Sequence, residues 1–291
     1  MPTFDTPEPI AVAVELGVGD IEIAASDRTD TIVDVRPSDP TRDSDVARAR
    51  QTRVEYANGT LLVKPPKGWR YWAPWGGQGA VDVRIDLPTG STVRGSAGVG
   101  ALSCTGRLGA CRYRAGVGRI ALERAGAVEL VAGSGDVSAD EIEGRADVKT
   151  AGAIKIGRID GPAAVKNSNG DTWIGEITGE GRINAANGAI SVDLAGSGIV
   201  AKTANGDVDL DEVVGGSVVA QTGYGSVRIG VREGVPAWLD LQTNFGNVRN
   251  DLAQAEPPEA REDAVEVTAH TSLGDIVVHR SSMSSSGKDQ G

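Results

Sequence analysis

The chain has 291 residues, 40 of them glycine, with five Trp, four Tyr and two Phe as its only aromatics. A net charge of -11 and a pI near 4.8 exclude a general nucleic-acid surface, because phosphates are repelled unless a strong basic stripe intervenes. Glycine at about twice its usual ~7% share, and Val, Ile and Thr in place of strong helix formers, favour strands and turns.

In chain order, residues 1–96 read as a β-rich N-terminal cap. Alternating runs predict strands at Ala11–Leu16, Asp20–Ala25, Thr31–Arg36, Arg53–Tyr56, Leu61–Lys64 and Val81–Leu87, with one or two helical turns within "DSDVARARQ" (Asp43 to Gln51). The start, "MPTFDTPEPIAVAVELG", has no basic n-region and carries Asp5 and Glu8, unlike a secretory signal. No apolar run approaches the ~18 residues of a membrane span. The expectation is a cytoplasmic protein whose two cysteines, Cys104 and Cys111, stay reduced; two are too few for a disulfide framework or a four-ligand zinc site.

The stretch "KGWRYWAPWGGQG" concentrates Trp69, Tyr71, Trp72 and Trp75 within seven residues. One reading is a flap over the end of the fold. The other is a partner-binding loop for a protein or the inner membrane surface, since Trp and Tyr favour interfaces. A sugar platform is a third.

Residues 97–280 carry a repeat. Turn glycines stand at Gly100, Gly118, Gly135, Gly152, Gly170, Gly188, Gly206 and Gly225, then at Gly246 and Gly274 after an acidic loop insertion around 250–263; an earlier copy, "LGVGDIEI", lies at Leu16 to Ile23. The spacing is 17 to 19 residues as far as Gly225. Apolar residues recur two and four positions after each glycine, as at Ile154 and Ile156 or Val208 and Leu210, with polar ones between. Each unit therefore reads as two short strands and two corners, with one face inside. A fixed period of this size predicts an all-β single-chain β-solenoid (β-helix) of about ten ~18-residue coils. The phrase "NG" at Gly170, Gly188 and Gly206 is also a hairpin signal, so a row of antiparallel hairpins is the structural alternative. Asn169, Asn187 and Asn205 are placed to form an amide ladder. Tyr224, Phe245 and Leu273 occupy the same column further on and are expected to seal that end. The tail, 281–291, lacks core-forming residues and reads as disordered.

The chemistry motifs are sparse. His270 and His279 have no nearby nucleophile motif, and the many G-x-G strings belong to the repeat, not to a dinucleotide-binding βαβ unit. No catalytic, cofactor or metal residues are assigned. Asp136, Asp171 and Asp207 recur every second coil, too far apart at ~10 Å to share a calcium ion. Trp173 with Asp171, Asp207 and Asp209 on one outer face is the pattern behind an alternative function, a carbohydrate-binding or polysaccharide-cleaving β-helix. The basic cluster Arg107, Arg112, Arg114 and Arg119 is followed by Glu123 and reads as a mixed-charge solvated face.

The recurring "G-[DAS]-[IV]-x-[ILV]" phrase, with "SNGDTWIGEITG" and "VRIDLPTGS", resembles the bacterial putative-adhesin (toast-rack) β-strand-repeat domain family of unknown function, over roughly residues 10–280. The resemblance implies a non-catalytic β-solenoid, with some relatives attached to envelope-stress systems. The expected function is a non-enzymatic scaffold or interaction module without cofactors, its partner a protein.

Overall fold

A computed structural model describes residues 1–65, 79–252 and 264–281. The chain divides into two units, Met1–Asn169 and Gly170–Gly291. Trp69, Tyr71, Trp72 and Trp75, most of the acidic insertion and all but the first residue of the tail lie outside the described residues.

The first unit opens with β1 (Thr3–Asp5), β2 (Ala11–Val18), β3 (Ile21–Ser26) and β4 (Asp30–Pro37), then α1 (Asp43–Gln51), β5 (Arg53–Ala57), β6 (Thr60–Lys64) and β7 (Val81–Pro88). The repeats follow as β8 (Thr92–Val99), β9 (Leu102–Leu108), β10 (Cys111–Val117), β11 (Ile120–Ala125), β12 (Val128–Ser134), β13 (Val137–Ile142), β14 (Ala146–Thr150), β15 (Ile154–Ile159) and β16 (Ala163–Asn169). Two sheets result. One runs β1-β4-β7-β3-β9-β11-β13-β15 and the other β5-β6-β2-β8-β10-β12-β14-β16.

The pairings among the repeat strands of this unit are parallel and in register apart from one bulge where β9 meets β11, so Ile120 lies beside Leu102 and Val137, and Val128 beside Cys111 and Ala146. The hairpin alternative therefore fails. Consecutive strands fall in opposite sheets, and the chain crosses between them at each corner. One rung shows why: Val128, Leu130 and Ala132 of β12 and Val137, Ala139 and Ile142 of β13 are all buried. Each large aliphatic among them contributes about 1.5–3 kcal/mol on burial. The antiparallel pairs of this unit are β1/β4, β4/β7 and β5/β6, and α1 packs on β4 and β7. Phe4 and Tyr56, their ring centroids 5.4 Å apart, meet at that end.

The second unit contains β17 (Thr172–Ile177), β18 (Gly181–Asn187), β19 (Ile190–Ala195), β20 (Ile199–Asn205), β21 (Val208–Val213), β22 (Ser217–Tyr224) and β23 (Val227–Val231). It ends with β24 (Ala237–Phe245), β25 (Val248–Asn250), β26 (Val265–Leu273) and β27 (Ile276–Arg280). Its sheets run β17-β19-β21-β23-β27-β25 and β18-β20-β22-β26-β24.

Both units are thus built from the same two-strand rung, and the chain has an all-β repeat fold of solenoid type. The glycine at the corner is required by geometry. Gly206 has φ +137°, and a Cβ there would lie 2.2 Å from the carbonyl oxygen of Gly188 on the preceding rung. Only a residue without a side chain lets successive corners stack this closely.

Rung order departs from chain order at both ends. The β2/β3 rung lies inside its sheets, between β6/β7 on one side and β8/β9 on the other. In the second unit β26/β27, the last rung in sequence, inserts between β22/β23 and β24/β25. The long intervals before Gly246 and Gly274 have this cause: the chain passes one rung outward and then steps back.

Candidate functional site

The residue after the corner glycine is often an aspartate, and the structure gives it a task. The Asp171 carboxylate accepts the Ala189 N–H at 2.9 Å, Asp207 that of Ser226 at 2.7 Å, and Asp275 that of Asn247 at 2.8 Å. In the first unit Asp20 and Asp136 do the same for Ala101 and Ala153, at 2.8 and 3.0 Å. One aspartate serves the backbone of the next rung, which is why an alternate-rung pattern suffices. A second column works from inside: Thr222 and Thr271 donate to the carbonyls of Gly206 and Gly225, both at 2.8 Å, and Thr203 to that of Gly188 at 3.1 Å. Asn205 donates to the Asn187 side chain at 2.9 Å, a step of the expected amide ladder. Both staples were missed in the sequence, although the fixed offset of Asp and Thr from each glycine was their signal.

These bonds alter the standing of the acids considered for chemistry. Asp171 and Asp207 are corner staples. Asp209 faces outward and pairs with Arg228 at 2.9 Å; desolvation raises its carboxyl above the ordinary range while Arg228 opposes the shift. Trp173 Nε1 donates to Asp193 at 2.9 Å, and Asp193 is raised chiefly by desolvation, with Asp211 adding repulsion from the adjacent strand. Among the described residues no group of three or more His, Cys, Asp or Glu is placed to hold a metal ion.

The four arginines of the basic cluster all have acidic neighbours. Arg112 and Arg114 flank Glu129 at 2.7 and 2.8 Å, Arg107 Nε meets Glu143 at 2.9 Å, and Arg119 lies 3.9 Å from Asp136. The hydrogen bond from Arg114 leads in holding the Glu129 carboxyl below its usual range. The face is mixed in charge, as its sequence suggests.

The feature that breaks the pattern of a self-contained repeat is the terminal rung of the second unit. β24 pairs with β26 on one side, and among the described residues no strand covers its other edge. Its inward side chains, Leu239 and Leu241, occupy the positions of Val267 and Ala269 on β26. Those two are 1% exposed, whereas Leu239 and Leu241 are only half-buried. Trp238, Phe245 and Val248 are 48%, 74% and 46% exposed. Tyr224, Leu273 and Phe245 do stand in one column, but all three are exposed. They line the outer corner and, contrary to expectation, leave Leu239 and Leu241 only half-buried among the described residues.

Parallel rungs, glycine corners and a core of small aliphatics define an all-β repeat protein of the solenoid-like class. The chain belongs to the Toastrack DUF4097 family, whose model matches residues 10–290. Among solved structures it is similar to a putative adhesin from Bacteroides fragilis, at 14% identity, covering 95% of this chain and 96% of that one with a TM-score of 0.34. It is similar also to a putative lipid binding protein from Parabacteroides distasonis (10% identity, 95% of each chain, TM-score 0.42). A putative adhesin from Parabacteroides merdae matches at 13% identity over 96% of this chain and 94% of that one, with a TM-score of 0.39. No curated protein matches the sequence. Among the described residues no helix is long and apolar enough to cross a membrane.

Proposed function

We propose that this protein is a non-enzymatic interaction module, a stiff β-repeat scaffold that binds a protein partner. The observation that carries the reading is the terminal rung β24/β25, with half-buried Leu239 and Leu241, exposed Trp238 and Phe245 and an edge that no other strand covers among the described residues. Exposed aromatics beside an unpaired edge suit strand addition, in which backbone bonds supply affinity and apolar side chains add selectivity. Trp69, Tyr71, Trp72 and Trp75 are a second contact in this proposal, for a protein or the inner membrane surface, resting on composition alone. Cytoplasmic placement and a role in envelope stress belong to the proposal too. Supporting the first is the use of Cys104 and Cys111 as unpaired buried core residues; fractionation of the native protein to the cell surface would overturn it.

Affinity capture from a native lysate is the test, comparing the full chain with Trp238→Ala/Phe245→Ala and with Trp69→Ala/Trp72→Ala/Trp75→Ala. Loss of a specific partner in either variant supports the reading. Identical captures from all three proteins would discredit both surfaces. Cleavage of polysaccharide through Asp171 and Asp207 is not proposed, since both carboxylates already serve the backbone.

A further inference from the structure

The open end of the second unit is an edge with a particular symmetry. The N–H of Val265 donates to the carbonyl of Pro236 at 2.9 Å. Along a parallel ladder the backbone groups alternate sides, so those of Ala237, Leu239, Leu241 and Thr243 point away from β26. The same residues turn their side chains inward. Natural edge strands commonly guard themselves with an inward-pointing charge, a proline or a bulge. None stands at the inward positions between Ala237 and Thr243.

We propose that this end is a self-association surface, on which two copies pair their β24 strands antiparallel about a dyad at Leu241. The reading rests on the proposal that the terminal rung is a binding surface, and it names the partner. Three observations favour a second copy. First, Leu241 is the midpoint of Ala237–Phe245, so a dyad there pairs all nine residues. Second, the pairing is self-compatible. Leu241 meets Leu241 of the second copy and Leu239 meets Thr243, which extends the inner layer. Asp240 falls opposite Gln242, whereas a dyad at Asp240 would set two carboxylates face to face. Third, the neighbouring lengths of chain outside the described residues, 253–263 and 282–291, contain no Val, Ile, Leu, Phe, Tyr or Trp; Met283 is their one large apolar residue. The chain itself supplies little there to cover leucines, while a second copy supplies an identical apolar end. Exchange at the Leu239–Thr243 and Leu241–Leu241 pairs yields about six backbone hydrogen bonds.

Sedimentation equilibrium of the full chain measures this directly. A particle of twice the 30.0 kDa chain mass is expected at micromolar concentration. In Leu239→Lys/Leu241→Lys the dimer dissociates at least tenfold more readily, with an unchanged circular dichroism spectrum. Should that variant misfold, Leu241→Cys provides an independent readout. Paired β residues place Cα atoms about 5.5 Å apart, within disulfide reach, and the native thiols are buried. Oxidation should therefore trap a covalent dimer of Leu241→Cys but not of Trp173→Cys, on an outer sheet face. A wild-type chain that stays monomeric at 100 µM overturns the proposal, as does a dimer indifferent to both changes. A monomer that still captures another protein through Trp238 and Phe245 sinks self-pairing while leaving the interaction reading intact. A dimer that captures nothing does the reverse for any foreign partner.

Discussion

Among the described residues Tyr113 is the largest fully buried side chain, and its hydroxyl has no hydrogen-bond partner there. Gly95 on the next strand makes room for the ring: a Cβ there would lie 3.0 Å from it. Burial pushes the phenol far above its ordinary range, as it does the thiols of Cys104 and Cys111, the latter to about 12. An unsatisfied buried hydroxyl costs about 1–3 kcal/mol. Tyr113→Phe is therefore expected to raise stability by roughly 1 kcal/mol in urea unfolding, and a loss of more than that would show that the hydroxyl has an unseen partner. Asp193 gives a pH-dependent case. Its folded carboxyl is raised by desolvation and by Asp211, so between the unfolded value near ~3.9 and the raised one the folded chain holds more protons. Stability then falls as pH rises through that window. Asp193→Asn keeps an acceptor for Trp173 and should be slightly more stable than wild type at pH 7, by under ~1 kcal/mol on this exposed face. The advantage should vanish below about pH 4. Equal stability of the two proteins at every pH would refute it.

At the scale of the rung, equivalence of successive copies makes a sharper demand. Removing Ala189–Gly206 deletes β19 and β20 together and joins Gly188 to Asp207, so β21 and β22 inherit the vacated places with their inward positions in phase. Stability in such arrays is close to a sum over rungs and their interfaces. The shortened chain should fold, with a lower Tm and a single cooperative transition. Deleting only Gly198–Gly206 removes β20, leaving β19 and β21, both of one sheet, consecutive in the chain. That half-rung variant should lose its cooperative transition in calorimetry. If both deletions behave alike, the rung is not the unit of the fold. Legibility at this scale was high: strand positions from Ala11 to Val81 fall within two residues of those expected, because period-two alternation and glycine corners are local signals. The aspartate and threonine staples were harder to read. Their partners are 15 to 81 residues away in sequence, and only stacking brings them together.

For the whole molecule, composition and spacing alone determined the all-β class, the two-strand rung, the glycine corner, the small aliphatic core and the acidic character. Each follows from a side chain's own preference or from a fixed period along the chain. Tertiary structure decided the order of the rungs and hence which of them is left uncovered. In the sequence Gly274 belongs to the last copy, yet its rung is enclosed and the Gly246 rung lies outermost. A strand of the right pattern fits beside any other of the same pattern, so local sequence cannot say which neighbour it takes. That choice is settled by the reach of the connecting loops and by which arrangement buries the most apolar surface.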